Sequence, residues 1–185
     1  MLRLPPTLLY AGLALLYCWP ILIGIGNRLP SDAGDPALNT WILWWSSQAV
    51  PLTATWWNAP VYFPLQGALA FSETLLGLLP VSLPLLLAGL PPVAVYNIIF
   101  LISIPASALA AHALAKRLTG RDDAALLAGL AFGFSPYRLG QMSHLQLLVA
   151  CWMPLGLWAL HSWLDQRRAR YLVLAGFCWL INALT

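Results

Sequence analysis

A run of 22 residues near the start of the chain, 5–26, is mainly apolar and contains no charged side chain. At about 1.5 Å per residue, a helix of this length crosses a hydrocarbon core of about 30 Å. A secretory signal peptide is the competing interpretation, but its apolar core is only about 7–15 residues long and ends at a small-residue cleavage site. Here the run continues into Asn27 and Arg28, a poor cleavage site, so we predict a retained transmembrane helix.

Composition extends this inference to all 185 residues. Hydrophobic residues make up 61% of the chain and charged residues only 8%, against roughly 45–50% and about 25% in ordinary soluble domains. This balance excludes a soluble globular enzyme, a disordered chain and a nucleic-acid-binding module. We therefore expect an all-α, polytopic integral protein of the cell (inner or plasma) membrane that contacts membrane lipid. The sequence indicates no oligomeric state.

Two compact basic clusters orient the predicted helices. They consist of Lys116, Arg117 and Arg121, and of Arg167, Arg168 and Arg170. Because basic residues concentrate in cytoplasmic loops, we place both clusters inside. The stretch between them, 124–164, must then leave and return, with its turn at 135–144 outside.

The number of membrane crossings before the first basic cluster leaves two topologies open. If the N-terminus is inside, the helix at 5–26 exits and the apolar run 93–115 enters, so the segment 72–90 starts and finishes outside. If the N-terminus is outside, 72–90 becomes a true crossing. Only Arg3 and Arg28 bear on this choice.

Prolines favour the first topology. Pro80 and Pro84 each remove a backbone donor and clash with the preceding turn, so 72–90 is predicted to form a broken, re-entrant or interfacial helix pair. The predicted order is a transmembrane helix at 5–26, an outer loop at 27–92 with an amphipathic helix at 36–50 and the segment 72–90, transmembrane helices at 93–115, 124–136 and 145–164, and a helix at 171–185 that stops early. This early stop predicts that residues 1–185 are a fragment of a longer multi-pass protein.

The outer loop contains an amphipathic pattern. Asp35 followed by Pro36 predicts a helix start, with the carboxylate at the N-cap. The apolar members of the pattern are Leu38, Trp41, Ile42, Trp45 and Ala49, and the polar members on the opposite side are Asn39, Ser46 and Ser47. Because tryptophan favours the membrane–water interface, we expect this helix to lie flat on the outer leaflet.

Three carboxylates fall in the predicted outer half: Asp32, Asp35 and Glu73. Ionisable groups at a membrane boundary are functional candidates because they are costly near lipid. Arg138 and His144 belong to the other predicted outer turn. Together the two loops offer groups that hold a phosphate and deprotonate a hydroxyl.

Four of these candidates also have a simpler explanation. Asp35 is explained by helix capping, and Glu73 by a cap formed with Ser72. Asp32 is an ordinary loop aspartate, and Arg138 is an anchor to lipid headgroups. No Walker loop, GxGxxG, HExxH or CxxC motif occurs in the chain, and a divalent metal is not supported by any ligand pattern.

In their order these motifs resemble the amino-terminal part of the polytopic GT-C glycosyltransferases, which include protein O-mannosyltransferases and aminoarabinose transferases. The resemblance covers about residues 1–180. The matching features are SDAGDP at 31–36, ALNTWILWW at 37–45, the proline-bearing segment preceded by Glu73, and AKRLTGRDDAALLAGLAFGFSP at 115–136.

The resemblance implies inverting transfer of a sugar from a polyprenyl-phosphate donor to an extracytoplasmic acceptor. Asp35 matches the loop carboxylate that acts as general base, and Asp32 is its neighbour. Arg138, His144 and Glu73 are then expected near the substrate. Many members carry another acidic residue after the Ser-Pro, but SPYRLGQMSH has none, which favours phosphate contact by Arg138 over a two-carboxylate metal site. A non-catalytic transporter or flippase-like subunit, or a membrane scaffold, remains the alternative.

Overall fold

The computed structural model describes residues 4–185, apart from the side chain of Leu139, so Arg3 lies outside the described residues. All regular elements of this part of the chain are helical, as the sequence predicts. They are α1 (Pro6–Tyr17), α2 (Trp19–Ile23), α3 (Asp35–Gln48), α4 (Leu79–Leu87), α5 (Pro92–Thr119), α6 (Asp122–Gly133), α7 (Pro136–Gly140), α8 (Leu145–Leu148), α9 (Trp152–Gln166) and α10 (Ala169–Leu184), with short 3-10 turns at 54–57, 68–71 and 76–78.

Helix α5 is the central element of the fold. Its 28 residues extend about 42 Å, and it contacts α1, α3, α4, α6, α8 and α9. Pro92 begins the helix, and Gly120 ends it in the left-handed conformation, φ +70°, donating its N–H to the Lys116 carbonyl. Small residues allow α6 to approach closely, because a Cβ at Gly133 would lie 2.6 Å from the Cβ of Ala108.

Two helical stretches are long and apolar enough to cross a membrane, namely Pro92–Thr119 and Leu145–Gln166. They coincide with the predicted spans at 93–115 and 145–164. Three further apolar helices are shorter, and these are Pro6–Tyr17, Leu76–Leu87 and Ala169–Leu184. The multi-pass arrangement as a whole stays a prediction.

Two predicted spans are shorter or less regular than expected. The run 5–26 breaks at Cys18, between α1 and α2, where Pro20 supplies no backbone N–H. The segment 124–136 is represented by α6, whose 12 residues extend about 18 Å. Helix α6 therefore covers only about half of the length of α5.

Segment 72–90 forms one helix rather than the predicted pair. The 3-10 turn at 76–78 leads directly into α4. Pro80 lies in the first turn of α4, where its missing N–H has no intrahelical partner to lose, so it starts the helix instead of breaking it. Pro84 is accommodated inside the helix. Whether this segment crosses a membrane stays a prediction.

Helix α3 forms as predicted, but its polar side faces inward. The predicted range is 36–50, and the helix extends over Asp35–Gln48 with Gly34, not Asp35, as its N-cap. Asn39 and Ser46 are buried, and Ser46 accepts a hydrogen bond from the indole of Trp56. The expected orientation of these polar groups toward water is therefore wrong, while the position of α3 on the outer leaflet stays a prediction. Their hydrogen-bond partners make the buried position favourable.

Contacts between helices fix which chain segments share an end of the molecule. An ion pair of 2.7 Å between Arg117 and Asp165 joins the last turns of α5 and α9, so both basic clusters lie at one end, here called the basic end. At the opposite end of α5, Asn97 donates to the carbonyls of Ile25 and Arg28, just after α2.

Candidate functional site

The loop between α2 and α3 holds Asp32 in a fixed geometry. One carboxylate oxygen accepts the backbone N–H of Gly34 at 2.8 Å, and this hydrogen bond forms the turn from which α3 starts. The other oxygen accepts the hydroxyl of Ser143 at 3.1 Å, from the far side of the sequence. The Gly34 N–H first, and the Ser143 hydroxyl second, lower the pKa of Asp32 below its ordinary value. Asp32 therefore stays ionised at neutral pH and is a weak base.

Asp35 is the first residue of α3 and is paired with His144. The Nε2 atom of His144 lies 3.0 Å from a carboxylate oxygen of Asp35. The side chains are 52% exposed for Asp35 and 37% exposed for His144. The Nδ1 atom of His144 is buried without a hydrogen-bond partner among the described residues. This pair offers a solvent-accessible carboxylate whose orientation is set by an imidazole.

Glu73 joins the same group through Gln146. The amide of Gln146 donates to Glu73 at 2.7 Å and accepts from Asn39 at 3.4 Å. Ser72 donates to the other Glu73 oxygen at 3.0 Å. The predicted cap formed by Ser72 and Glu73 is not observed, because the helical turn that follows these residues starts only at Leu76.

These contacts form a single arrangement that we call the carboxylate clasp. Its members are Asp32, Asp35 and Glu73 with their partners Ser143, His144 and Gln146. Three polar side chains of the short segment 143–146 thus bind carboxylates from two other parts of the chain. The end of the molecule that carries the clasp is called the acidic end.

The sequence indicated only part of the clasp. The sequence predicts four of its members, Asp32, Asp35, Glu73 and His144, but neither Ser143 nor Gln146. The signal that identifies both is the polar density of QMSHLQ, 141–146, in a chain that is otherwise strongly apolar. Asn39 was assigned to the polar, outward side of α3.

Arg138 does not join the other candidates. Its guanidinium donates to the hydroxyl of Ser107 at 3.2 Å and to the carbonyl of Leu148, and the residue is only 8% exposed. Ser107 lies near the middle of α5. Because α6 is short and ends beside Ile104 and Ala108, the turn that follows starts deep in the helical assembly rather than at its surface. The expected outer-loop position of Arg138 beside a phosphate is therefore not the one observed.

An apolar groove of about 270 Å³ lies between α3 and the start of α5. Its lining residues are Leu29, Ala37, Thr40, Trp41, Trp44, Pro92 and Val93. Leu29 belongs to the loop that carries Asp32. The groove suits a short stretch of hydrocarbon chain, because hydrophobic side chains dominate its walls.

The fold and the site define an all-helical protein with two helices able to span a membrane and a carboxylate–histidine cluster at one end. Among residues 4–185, no three histidine, cysteine or acidic side chains are grouped so that they could hold a metal ion. Comparison with protein-family models, curated proteins and solved structures gave no match in any of the three.

Proposed function

We propose that this protein is a membrane glycosyltransferase of the GT-C type, which transfers a sugar from a polyprenyl-phosphate donor to an extracytoplasmic acceptor hydroxyl. The observation that carries the proposal is the half-exposed carboxylate of Asp35, held 3.0 Å from His144 and close to Asp32 in the same clasp. Two separate predicted outer loops supply these groups. The proposal rests further on the order of motifs that resembles this family.

Asp35 is the better base of the two loop aspartates. Asp32 has both oxygens engaged by Gly34 and Ser143, and these hydrogen bonds lower its pKa. Asp35 has one oxygen bound by His144 and remains half exposed. A base that gains a proton in the transition state must be accessible and must not be over-stabilised in its ionised form.

The proposed step is a single displacement. The acceptor oxygen attacks the anomeric carbon while its proton passes to Asp35. The bond from the anomeric carbon to the phosphate oxygen breaks, and the polyprenyl phosphate leaves with the electron pair. His144 orients Asp35 throughout. The lipid chain of the donor is assigned to the apolar groove, whose wall includes Leu29 from the Asp32 loop.

The experiment is a transfer assay on membranes that contain the protein, with a radiolabelled polyprenyl-phosphate sugar. Asp35→Asn is expected to lower the rate by about 10²–10⁴, the usual contribution of a general base. Asn keeps an oxygen that can accept from His144 and is compatible with the first turn of α3. The matched control is Asp165→Asn at the basic end, which removes an exposed carboxylate of the same type and leaves the rate unchanged.

Two outcomes would redirect the proposal. If Asp32→Asn abolishes transfer and Asp35→Asn does not, the base is Asp32. If both variants transfer sugar normally, the carboxylate mechanism is wrong.

A non-catalytic transporter-like or scaffold role has one observation in its favour. All three clasp carboxylates have partners within the protein, so each is also explained as a tie between segments. In that case the unmodified protein transfers no sugar, and Asp35→Ala and Gln146→Leu, which remove the contacts with His144 and Glu73, lower its stability.

A further inference from the structure

The chain between α3 and α4 contains a loop with an ordered base. This aromatic loop, residues 58–71, follows Trp56, whose buried indole donates to Ser46 of α3 at 3.2 Å. Trp45 of α3 in turn donates to the Trp56 carbonyl at 3.0 Å. Within the loop, the side chain of Asn58 accepts the N–H of Gly67 at 2.8 Å. The loop is therefore held in one conformation against α3.

The same loop exposes large apolar side chains on its outer side. Phe63 is 86% exposed, Phe71 is 77% exposed and Tyr62 is 70% exposed. Leu65 lies between them and is also exposed. These side chains belong to no helix that could span a membrane, so exposure to lipid tails along a transmembrane helix does not account for them. Several large apolar side chains exposed on one loop are typical of an interaction site.

The charge pattern restricts what covers this surface. Residues 36–72 contain no Asp, Glu, Lys, Arg or His. This segment therefore offers no charged group to a protein or nucleic-acid partner that binds through ion pairs. Tyrosine, in contrast, is enriched where a membrane protein meets the headgroup region, because its ring suits a half-wet environment. Phenylalanine and leucine are typical of the apolar surface that a peripheral segment buries at the boundary between headgroups and acyl chains.

The position of the loop fits the same environment. Val61 and Leu69 line a small cavity with Leu38 and Ile42, which places the loop against the first half of α3. That half starts at Asp35, in the clasp, so the loop lies at the acidic end. This is the end at which α5, a helix long enough to cross a bilayer, begins.

We propose that the aromatic loop docks into the interfacial layer of the bilayer at the acidic end, through Tyr62, Phe63 and Phe71. Its partner is the uncharged part of the lipid interface rather than an anionic headgroup. The loop takes over the anchoring role that the sequence pattern assigned to α3. This docking is independent of sugar transfer.

Site-directed spin labelling tests the docking. A single cysteine replaces Phe63 in the full chain, with the native Cys18, Cys151 and Cys178 substituted, and the labelled protein is reconstituted in phosphatidylcholine vesicles. Because Phe63 is almost fully exposed, the substitution leaves the packed base of the loop intact. We expect the label to collide more with oxygen, which concentrates in lipid, than with a water-soluble nickel chelate.

Gln166→Cys is the matched control, since Gln166 is exposed at the end of α9, and the opposite preference is expected there. Phe71→Cys gives a second reporter on the loop. Addition of anionic lipid should leave the preference at both loop positions unchanged.

Preferential collision with the nickel chelate at Phe63→Cys and Phe71→Cys would overturn the proposal, because the loop would then face water. A label shielded from both reagents would also overturn it, because another protein surface would then cover the loop. A strong dependence of depth on anionic lipid would contradict the uncharged character assigned to the partner.

Discussion

At the basic end of the molecule the carboxylates pair with lysine and arginine, whereas at the acidic end they are held by neutral donors and one histidine. Lys116 pairs with Asp122 and Arg117 with Asp165. In the part of the chain that the structure describes, no lysine or arginine pairs with the carboxylates of the clasp.

This difference separates carboxylates that are paired with a lysine or arginine from carboxylates that keep their negative charge. An exposed ion pair adds little stability, typically less than about 1 kcal/mol, and it neutralises both partners. A carboxylate bound by hydroxyl, amide and imidazole groups is fixed in place while its negative charge is kept. The carboxylates of the acidic end therefore fit the proposed base better than those of the basic end.

The largest expected effect on stability comes from Arg138, which lies between the two ends. Arg138→Met removes the guanidinium that donates to the Ser107 hydroxyl and to the Leu148 carbonyl, so the carbonyl keeps only the hydroxyl of Ser107, at 3.3 Å. We expect the free energy of unfolding to fall by about 2–3 kcal/mol, since a hydrogen bond to a charged group contributes about 1.5–3 kcal/mol. Titration of the detergent-solubilised protein with a denaturing detergent measures this. Arg138→Lys should recover part of the lost stability. If Arg138→Met is as stable as the unmodified protein, the hydrogen bonds of Arg138 make no net contribution to the free energy of unfolding.

The clasp itself provides the next largest effect. Gln146→Leu removes the link between Asn39 and Glu73 and leaves the buried Asn39 amide unpaired. Because an unsatisfied buried donor costs about 1–3 kcal/mol, we expect a loss in the lower half of that range in the same titration. A loss no greater than that of an exposed ion-pair variant would remove the distinction between the two ends.

The ion pairs of the basic end should give a smaller effect. Asp165→Asn breaks the ion pair with Arg117. The side chain of Asp165 is largely exposed. We expect a change of less than about 1 kcal/mol that shrinks further as salt is added. A larger loss of unfolding free energy that does not depend on salt would mean that the ion pairs of the basic end stabilise the fold as much as the clasp does.

The smallest effect concerns the ionisation of Asp32. Hydrogen bonds lower its pKa in the folded protein, so they stabilise the fold above the pKa of the unfolded chain. This stabilisation is lost as the pH falls through the lowered, folded-state value. Ser143→Ala should raise the pKa of Asp32 only in part, because the Gly34 N–H is the larger cause. Carbon-13 titration of the carboxylate measures both values, and an unchanged pKa would show that the Ser143 bond is not formed.

The clasp shows what local sequence patterns can and cannot predict. Asp32 and Asp35 flank a helix start, and His144 lies in a second polar turn, so their types and spacing already indicated a shared site. The partners Ser143 and Gln146 were missed because a hydroxyl or an amide in an apolar chain has many equally plausible neighbours. Only the packing of α8 against α3 and α5 selects among them.

The predicted position of Arg138 and the predicted orientation of α3 are wrong for two different reasons, a helix length and a set of hydrogen-bond partners. The depth of Arg138 depends on α6 ending after 12 residues, and apolar composition does not determine where such a helix stops. The inward face of α3 depends on partners for Asn39 and Ser46 that lie far away in the sequence, at Gln146 and Trp56. An amphipathic pattern predicts that polar side chains face water, because it contains no information about hydrogen-bond partners elsewhere in the sequence.

Extracytoplasmic sugar transfer requires the two ends of the molecule to lie on opposite sides of the membrane, with the acidic end outside. Single cysteines at Ala33, next to the clasp, and at Thr119, at the basic end, provide the most direct measurement, since both positions are exposed. In intact cells, and with the native thiols substituted, an impermeant maleimide should label Ala33→Cys, while Thr119→Cys should react only after permeabilisation. Labelling of Thr119→Cys in intact cells, with protection of Ala33→Cys, would place the clasp inside and contradict the proposed extracytoplasmic transfer.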